Sequence, residues 1–178
     1  MYYDPPLFRP PSEARSLIIQ ITYGCSHNKC TFCSMYKSKN FRIRPLEEVY
    51  RELDAYPYDA RRIFLADGDA LIRKTEELLE LLDYLYKRFP GLERVSAYTT
   101  TQDLLRKTET ELQALKDAGL TLLYLGLESG SHEVLEEIKK DITRDDAIEA
   151  SLKAQRLGFD LSITLISGIT NRFRKEHI

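Results

Sequence analysis

The three cysteines of this chain, Cys25, Cys30 and Cys33, lie within a stretch of nine residues. They directly follow a short apolar run at residues 17–19. Thiols that only pack in a core have no reason to cluster, and an odd number of cysteines cannot all pair as disulfides. Thiolates suit zinc, copper(I) and iron–sulfur clusters. Three ligands on one loop also leave one coordination position open for chemistry. The spacing therefore predicts a metal centre.

Two kinds of metal centre are compatible with this loop. His27 would complete a Cys3His site for zinc, which would make the chain a zinc-stabilised binding domain. The Cys25-x-His27 spacing is short for two ligands of one ion, and all ligands would come from a single loop. Iron–sulfur clusters are usually held by four cysteines. A cluster in this chain would therefore have three cysteine ligands and one ligand of another kind.

Composition narrows the class of protein. The chain has 178 residues and a formal net charge of −2, which gives no reason to expect nucleic acid or an anionic membrane as an obligatory partner. No apolar run approaches the roughly 20 residues of a membrane span. The N-terminus lacks a basic segment followed by an apolar one, so it is not a secretory signal. Clustered cysteines without an export signal predict the reducing cytoplasm.

The rest of the chain alternates between β-rich runs and amphipathic helical runs. The predicted strands are 17–22, 62–65, 94–98, 121–127 and 159–166. The predicted helices are 45–53, 75–87, 108–118, 134–139 and 144–156, and the third begins with a capping box of Thr108 and Glu111. Four prolines in residues 1–15 predict an extended arm on the surface, followed by one core over 16–178. The alternation predicts an α/β fold with a parallel sheet.

Every predicted strand is followed by a polar or glycine-rich segment. Because the carboxyl ends of parallel strands lie at one edge of the sheet, these segments should meet there and form an active site. The segments are the cysteine loop, Asp67-Gly68-Asp69, Thr99-Thr100-Thr101, Glu128-Ser129-Gly130-Ser131 and Ser167-Gly168.

On these motifs the chain resembles the radical S-adenosylmethionine (SAM) enzymes. That superfamily carries a cysteine loop after the first strand of a partial, TIM-like (βα)6 barrel, and a [4Fe–4S] cluster with one iron open to SAM. Its usual spacing is Cys-x3-Cys-x2-Cys with an aromatic residue before the last cysteine. Here the first gap has four residues, while Cys30-Thr31-Phe32-Cys33 fits. The resemblance covers about 16–168, with about five βα units, and identifies Cys25, Cys30 and Cys33 as cluster ligands.

The resemblance also implies SAM-binding residues. Phe32 matches a residue that packs near the adenine, and Gly68 and Asp69 match the motif that binds the methionine amino group. Glu128 and Ser129 match residues that contact ribose or methionine in the branch of oxygen-independent coproporphyrinogen oxidases, methylthiotransferases and Elongator-type catalytic subunits. The alternative role for these residues is helix N-capping. Asp67 and Asp69 would cap a helix that begins near Leu71, and Ser129 and Ser131 would cap the helix that follows them.

Further residues near the cluster loop have two interpretations each. Thr99 and Thr100 would face SAM or the substrate. The basic run after the loop is either a solvated segment or a site for an anionic substrate or the SAM carboxylate; its members are Lys37, Lys39, Arg42 and Arg44. We also expect an apolar wall inside the barrel, made by Leu123, Leu125, Leu127 and Ile163.

The function implied by the resemblance is reductive cleavage of SAM to methionine and a 5′-deoxyadenosyl radical, which abstracts hydrogen from an unidentified substrate. An electron donor such as flavodoxin or ferredoxin would be a partner. Five βα units in place of six predict a missing C-terminal segment or a homodimer. The alternatives are a zinc-stabilised binding domain and an inactive fragment of a radical SAM enzyme.

Overall fold

The computed structural model describes residues 1–170, and its centre is a five-stranded sheet. A short 3-10 helix at Pro11–Glu13 precedes the sheet. The elements that follow are β1 (Leu17–Gln20), β2 (Thr22–Tyr23), β3 (Arg42–Ile43), α1 (Leu46–Asp54), β4 (Arg62–Ala66), α2 (Thr75–Arg88), β5 (Arg94–Thr99), α3 (Thr101–Arg106), α4 (Glu109–Asp117), β6 (Leu120–Glu128), α5 (His132–Glu137), α6 (Arg144–Arg156) and β7 (Asp160–Leu165). The predicted end of the core at 171–178 lies outside the described residues.

The sheet is parallel throughout, with the strand order β1-β4-β5-β6-β7. The predicted α/β fold with a parallel sheet is therefore confirmed. Two helices begin at capping boxes. Thr108 and Glu111 form the expected capping box of α4, and Thr143 with Asp146 forms another at α6.

The two faces of the sheet carry different side chains. The outer face packs a leucine-rich core against the helices, in which Leu123 and Leu125 are fully buried. The inner face carries an aromatic cluster, where Phe64 meets Tyr98 and Tyr124 edge-on, with ring centroids 4.8 and 5.7 Å apart.

The predicted apolar wall inside the barrel is wrong. Successive side chains of a strand point to opposite faces of the sheet, and the predicted residues occupy the positions that point away from the interior. Leu127 packs against the same outer core, and Ile163 is 42% exposed. The inner positions of β6 are Tyr124, Gly126 and Glu128, which line the interior cavity described below.

The first predicted strand is two strands in the structure. β1 ends at Gln20, and Thr22 and Tyr23 then pair antiparallel with Ile43 and Arg42. This two-stranded ladder joins the two ends of the segment 24–41, which contains the three cysteines. The cysteine loop, residues 24–41, therefore leaves and rejoins the body of the protein at one point, where the backbone pairing of β2 with β3 fixes its two ends.

The N-terminal arm does more than lie on the surface. Glu13 is completely buried, and its Oε1 accepts hydrogen bonds from Tyr124 Oη at 2.6 Å and Ser96 Oγ at 3.0 Å, with Arg94 Nη2 at 2.7 Å. Burial alone would raise the pKa of Glu13, but hydrogen bonds from Ser16, Tyr124 and Ser96 and the charge of Arg94 hold it below its usual range. The prediction of a surface arm is therefore wrong at this end.

At the other side of the sheet, β7 pairs only with β6 among the described strands. Ile163 and Leu165 on β7, and Ile148 and Leu152 on α6, are each more than 40% exposed. A homodimer or an additional segment over this edge stays a prediction. Within residues 1–170, no helix has both the length and the apolar character needed to cross a bilayer.

Candidate active site

A cavity of about 490 Å³ opens where the carboxyl ends of the strands meet, and all three cysteines line it. This volume is within the range of sites for small molecules and cofactors, roughly 300–1,000 Å³. Seven of the nine predicted site residues lie in its wall: Cys25, Cys30, Phe32, Cys33, Gly68, Thr99 and Glu128. The structure thus brings together residues from four different strand ends. Asp69 and Ser129 are buried but are not part of this wall.

Asp67 anchors both ends of the cysteine loop. Its carboxylate accepts hydrogen bonds from Gly24 N, where the loop begins, and from Lys39 Nζ, where it ends, both at 3.0 Å. Gln20 Nε2 donates to the same carboxylate at 3.0 Å and to the Asp4 carbonyl at 3.1 Å. Burial raises the pKa of Asp67, and these donors offset the shift only in part. The loop is therefore held by a buried polar cluster.

Asp69 supports the loop from behind the cavity wall. Ser26, which follows the first cysteine, donates a short hydrogen bond to the Asp69 carboxylate. Burial raises the pKa of Asp69, and the neighbouring Asp103 carboxyl raises it further. No helix begins at Leu71, since α2 starts at Thr75, so the capping alternative for these aspartates is wrong. In the structure Asp69 positions the segment next to Cys25.

The four basic residues that follow the last cysteine are not part of the cavity wall. Lys39 and Arg44 are buried in ion pairs, Lys39 with Asp67 and Arg44 with Glu52 at 2.7 Å. Arg42 lies over the ring of Tyr23, 4.0 Å from its centroid, and Lys37 donates to the Asn28 carbonyl. The anion-binding interpretation is therefore wrong for Lys39 and Arg44, whose charges are paired within the protein. For the exposed Lys37 and Arg42 it stays a prediction.

The loop geometry does not favour zinc. His27 donates through Nε2 to the Lys139 carbonyl at 2.8 Å, and its Nδ1 lies 3.6 Å from Asp141 Oδ2, so both ring nitrogens face the segment after α5. Within residues 1–170, no three Cys, His, Asp or Glu side chains are close enough to hold a single metal ion. Tetrahedral zinc, with Zn–S bonds of about 2.3 Å, requires such a tight group. A cluster binds each thiolate to a different iron and tolerates wider spacing.

Cys25 and Cys30 must lose their thiol protons when a metal binds. Burial raises the pKa of Cys25 and Cys30 above the usual value, against weaker effects of hydrogen bonds and of Lys140. Buried thiols without metal therefore stay protonated at neutral pH. Because only thiolates bind metals, binding must release these protons.

Glu128 is held in an unusual conformation at the end of β6. Its φ of 69° lies in the left-handed region, where residues other than glycine are uncommon. A register shift between Gly126 and Glu128 precedes it, and the Glu128 carbonyl accepts from Ile166 N at 2.9 Å. The side chain turns back over Gly126, and Lys140 Nζ lies 3.0 Å from Oε1. The cavity wall therefore contains a carboxylate paired with a lysine.

The hydroxyl residues divide between capping and cavity positions. Thr99 and Thr100 both line the cavity, and Thr100 also caps α3 by accepting from Asp103 N at 3.1 Å. Ser131 is the N-cap of α5, as its capping interpretation requires. Ser129 Oγ accepts from Ser131 N at 3.1 Å.

Several lining residues were not foreseen from the sequence. Lys140 reaches the cavity from the segment after α5, and Arg9 reaches it from the N-terminal arm. Tyr98 and Tyr124 supply aromatic parts of the wall. Tyr98 and Tyr124 could have been identified from the sequence, because each is a large side chain with a hydroxyl group in a predicted strand, 94–98 or 121–127. No local sequence pattern indicates Lys140 or Arg9, because only long-range packing brings them to the cavity.

Comparison with known proteins decides the family. The sequence model described as the Radical SAM superfamily matches residues 19–178. The chain belongs to this superfamily. Its enzyme class therefore agrees with the resemblance seen in the cysteine loop and the strand ends.

Two relatives of this radical SAM chain come from archaea. An uncharacterized methyltransferase of Pyrococcus horikoshii is 28% identical over 163 residues, which cover 89% of this chain and 34% of that protein. A putative methylthiotransferase of Methanocaldococcus jannaschii is 28% identical over 160 residues, covering 85% of this chain and 35% of that protein. The chain thus spans about a third of the length of these relatives.

Solved structures confirm the partial TIM-like barrel of radical SAM proteins. The cobalamin-dependent SAM radical enzyme OxsB, with aqua-cobalamin and SAM bound, has a TM-score of 0.69 at 21% identity, covering 85% of this chain and 24% of that chain. Coproporphyrinogen III oxidase (HemN) from Escherichia coli has a TM-score of 0.61 at 17% identity, covering 84% of this chain and 30% of that chain. At these identities the likeness concerns the fold.

The cavity fits the group that the radical SAM family implies. Its wall offers three thiols from one loop, and Cα of Gly68 faces Cys25 and Tyr36 closely. Tyr36 and Thr101 line the cavity, and their buried hydroxyls have no hydrogen-bond partner within residues 1–170. Because buried polar groups are nearly always paired, this wall has spare hydrogen-bonding capacity for a bound group.

Replacing Gly68 by alanine should disturb the cysteine loop. A Cβ at Gly68 would lie 2.7 Å from Cε2 of the Tyr36 ring and 3.1 Å from Cβ of Cys25. We expect the Gly68→Ala variant to lose about 1–3 kcal/mol of unfolding free energy through overpacking. We also expect it to retain less iron than the wild type after reconstitution, because Cys25 must shift.

Gly130→Ala is the matched control for this substitution. A Cβ at Gly130 would have no atom within 4 Å, so both stability and iron content should stay at the wild-type level. Chemical denaturation and iron analysis of the two variants check the prediction. Wild-type values for Gly68→Ala in both measurements would show that the cysteine loop does not depend on this close contact.

Proposed function

We propose that this chain binds a [4Fe–4S] cluster through Cys25, Cys30 and Cys33 and uses it to cleave SAM reductively. The observation that carries the proposal is the position of all three thiols in the wall of one cavity, at the carboxyl edge of a parallel sheet. Membership of the radical SAM superfamily supports it. Three ligands leave one iron for SAM.

The chemistry is supplied by the bound groups, and the chain positions them. When bound and reduced, the cluster gives the electron that splits SAM into methionine and a 5′-deoxyadenosyl radical, which abstracts hydrogen from the substrate. The residues proposed to hold SAM are Phe32, Gly68, Thr99 and Glu128 in the wall, with Asp69 and Ser129 supporting them from behind it. Glu128 supplies a carboxylate for a cationic amino group, and Lys140 beside it supplies a positive charge for a carboxylate.

Apolar side chains in the wall would also keep water and competing hydrogen donors from the reacting atoms. Phe32, Tyr98 and Ile166 form apolar parts of the wall. Phe32 is itself fixed by packing against the cluster of Val134, Leu135 and Ile138. A largely apolar wall strengthens electrostatic contacts within the cavity once water is displaced.

Partners and location follow from the same chemistry. We propose a cytoplasmic protein that receives electrons from a small donor such as flavodoxin or ferredoxin, since reductive cleavage consumes one electron. The substrate would enter at the mouth of the cavity, where the exposed Arg9 and Gln102 lie near its rim.

Anaerobic reconstitution tests this function. The protein is loaded with iron and sulfide, and both are counted per chain. SAM and dithionite are then added, and 5′-deoxyadenosine is measured by chromatography. We expect about four irons and four sulfides, as the cluster formula requires, and release of 5′-deoxyadenosine. A protein that retains one zinc and no sulfide would contradict the proposal and favour a zinc-stabilised domain. A loaded protein that releases no 5′-deoxyadenosine would favour an inactive fragment.

A further inference from the structure

The buried hydroxyl of Tyr36, a residue that lines the cavity, takes part in no hydrogen bond within the described part of the chain. The residue is only 3% exposed, and its Oη has no hydrogen-bond partner among residues 1–170. It lines the same cavity as Cys25 and Cys33. Leaving a buried hydroxyl unpaired costs about 1–3 kcal/mol, so such groups are rare without a reason. The position of this one next to the thiols points to a bound acceptor.

The ring of Tyr36 is held by close packing on its edge and by an aromatic neighbour. Its edge lies against Gly68, where no side chain intervenes, and Phe8 packs on it at 89° with centroids 5.5 Å apart. Lys39 Nζ lies 5.8 Å from the ring centroid. The Tyr36 carbonyl accepts from Asn28 Nδ2 at 2.9 Å and from Lys39 N at 3.0 Å. Both side chain and backbone are therefore preorganised within the cysteine loop.

The hydroxyl remains a donor throughout the working pH range. Burial raises the pKa of Tyr36 strongly, and Asp67, Tyr98, Cys25 and Cys33 raise it further. A phenol that keeps its proton can donate a hydrogen bond but is a poor candidate for a base. The ring lies near Cys25, since a Cβ at Gly68 would be 2.7 Å from Cε2 of Tyr36 and 3.1 Å from Cβ of Cys25.

We propose that Tyr36 Oη donates a hydrogen bond to a sulfur atom of the cluster and thereby raises its reduction potential. The inference rests on the proposed function, since it requires the cluster. Reduction adds negative charge to the cluster, so a donor aimed at sulfur stabilises the reduced state more than the oxidised state. Hydrogen bonds to sulfur are among the factors that set cluster potentials.

The test compares Tyr36→Phe with the wild type after reconstitution. The substitution keeps the ring and removes the hydroxyl alone. We expect unchanged iron and sulfide content, and a more negative midpoint potential in a redox titration without SAM followed by electron paramagnetic resonance (EPR). We also expect that the metal-free variant unfolds at the same denaturant concentration as the wild type or a higher one, because no protein hydrogen bond is lost.

Tyr86→Phe is the matched control. Tyr86 Oη donates to the Gly119 carbonyl at 2.9 Å, away from the cavity wall. This variant should unfold at a lower denaturant concentration because it loses a hydrogen bond, and its cluster potential should equal that of the wild type. The two variants therefore have opposite expected patterns of stability and potential.

The outcomes separate this inference from the proposed function. A wild-type protein that forms no cluster would overturn both. A loaded Tyr36→Phe variant with the wild-type potential would overturn the Tyr36 inference alone. A shift that appears only when SAM is present would assign the donor to SAM and would also overturn it. Loss of stability in the metal-free variant would show that the hydroxyl has a partner within the protein.

Discussion

Replacing Cys30 by serine is expected to abolish iron–sulfur cluster binding and SAM cleavage together. Cys30 is buried in the cavity wall. A serine hydroxyl is a poor substitute for a thiolate as a ligand of iron, so the variant keeps only two effective ligands, Cys25 and Cys33. Two ligands are too few to hold the cluster. After reconstitution, iron and sulfide should fall to near zero per chain. Release of 5′-deoxyadenosine should fall to the background of the assay. The same result is expected for serine at Cys25 or Cys33.

Ser34→Ala is the control on the same loop. Ser34 follows the last cysteine, and its side chain is exposed. This variant should bind iron and cleave SAM as the wild type does. Full iron content in Cys30→Ser, with visible absorption unchanged, would mean that the cysteine loop is not the cluster site.

Replacing Asp67 by alanine is expected to give the largest loss of stability of any single change considered for this site. The substitution removes the buried carboxylate that pairs with Lys39 at 3.0 Å and leaves this ammonium group only the partly exposed carboxylate of Asp4 at 3.3 Å. It also removes the acceptor for Gly24 N and Gln20 Nε2. Breaking a buried pair in this way typically costs about 3–5 kcal/mol. Urea denaturation of the metal-free protein would show this as a lower free energy of unfolding. The freed cysteine loop should also be cut faster by a protease.

Two further variants determine whether the buried charge is the cause. Removing both partners in Asp67→Ala/Lys39→Met should recover part of the lost stability, because no unpaired charge remains. Asp83→Ala breaks the exposed pair of Asp83 with Lys87 and should change stability by less than about 1 kcal/mol. An Asp67→Ala loss no larger than that of Asp83→Ala would contradict the anchoring role of Asp67.

Local sequence patterns predict much of the fold. The capping box of Thr108 and Glu111 and the glycine after it place α4 correctly, and the β-branched and apolar runs place the five strands of the sheet. The cysteine loop identifies the functional edge, because three thiols after a strand have no packing function. The polar segments after the other strands then fall at the same edge by the geometry of a parallel sheet.

Side-chain direction within a buried strand was harder to predict. The run at 120–127 is apolar on both faces, so its pattern does not show which parity faces the helices. Leu123 and Leu125 were expected inside, and the structure puts Tyr124 and Gly126 there. The left-handed Glu128 adds a local register shift that no residue in the run announces.

The buried charges depend on contacts between distant parts of the chain. Lys39 and Arg44 look like a solvated or anion-binding run in sequence, yet each is buried against a carboxylate from another element. Glu13 belongs to a proline-rich arm, and only the tertiary fold supplies Arg94, Ser96 and Tyr124 around it. The contacts of Lys39 and Glu13 span 28 to 111 positions of sequence, beyond the reach of local patterns, whereas Arg44 and Glu52 are 8 positions apart.

The EPR spectrum of the reduced, reconstituted protein, recorded with and without SAM, tests the central claim most directly. Three cysteine ligands leave one iron open, so SAM should bind that iron and change the spectrum of the reduced cluster. We expect this change in the wild type, and no cluster signal in Cys30→Ser. A cluster signal that is the same with and without SAM would contradict an open iron at this site, and a protein with zinc and no signal would contradict the cluster itself.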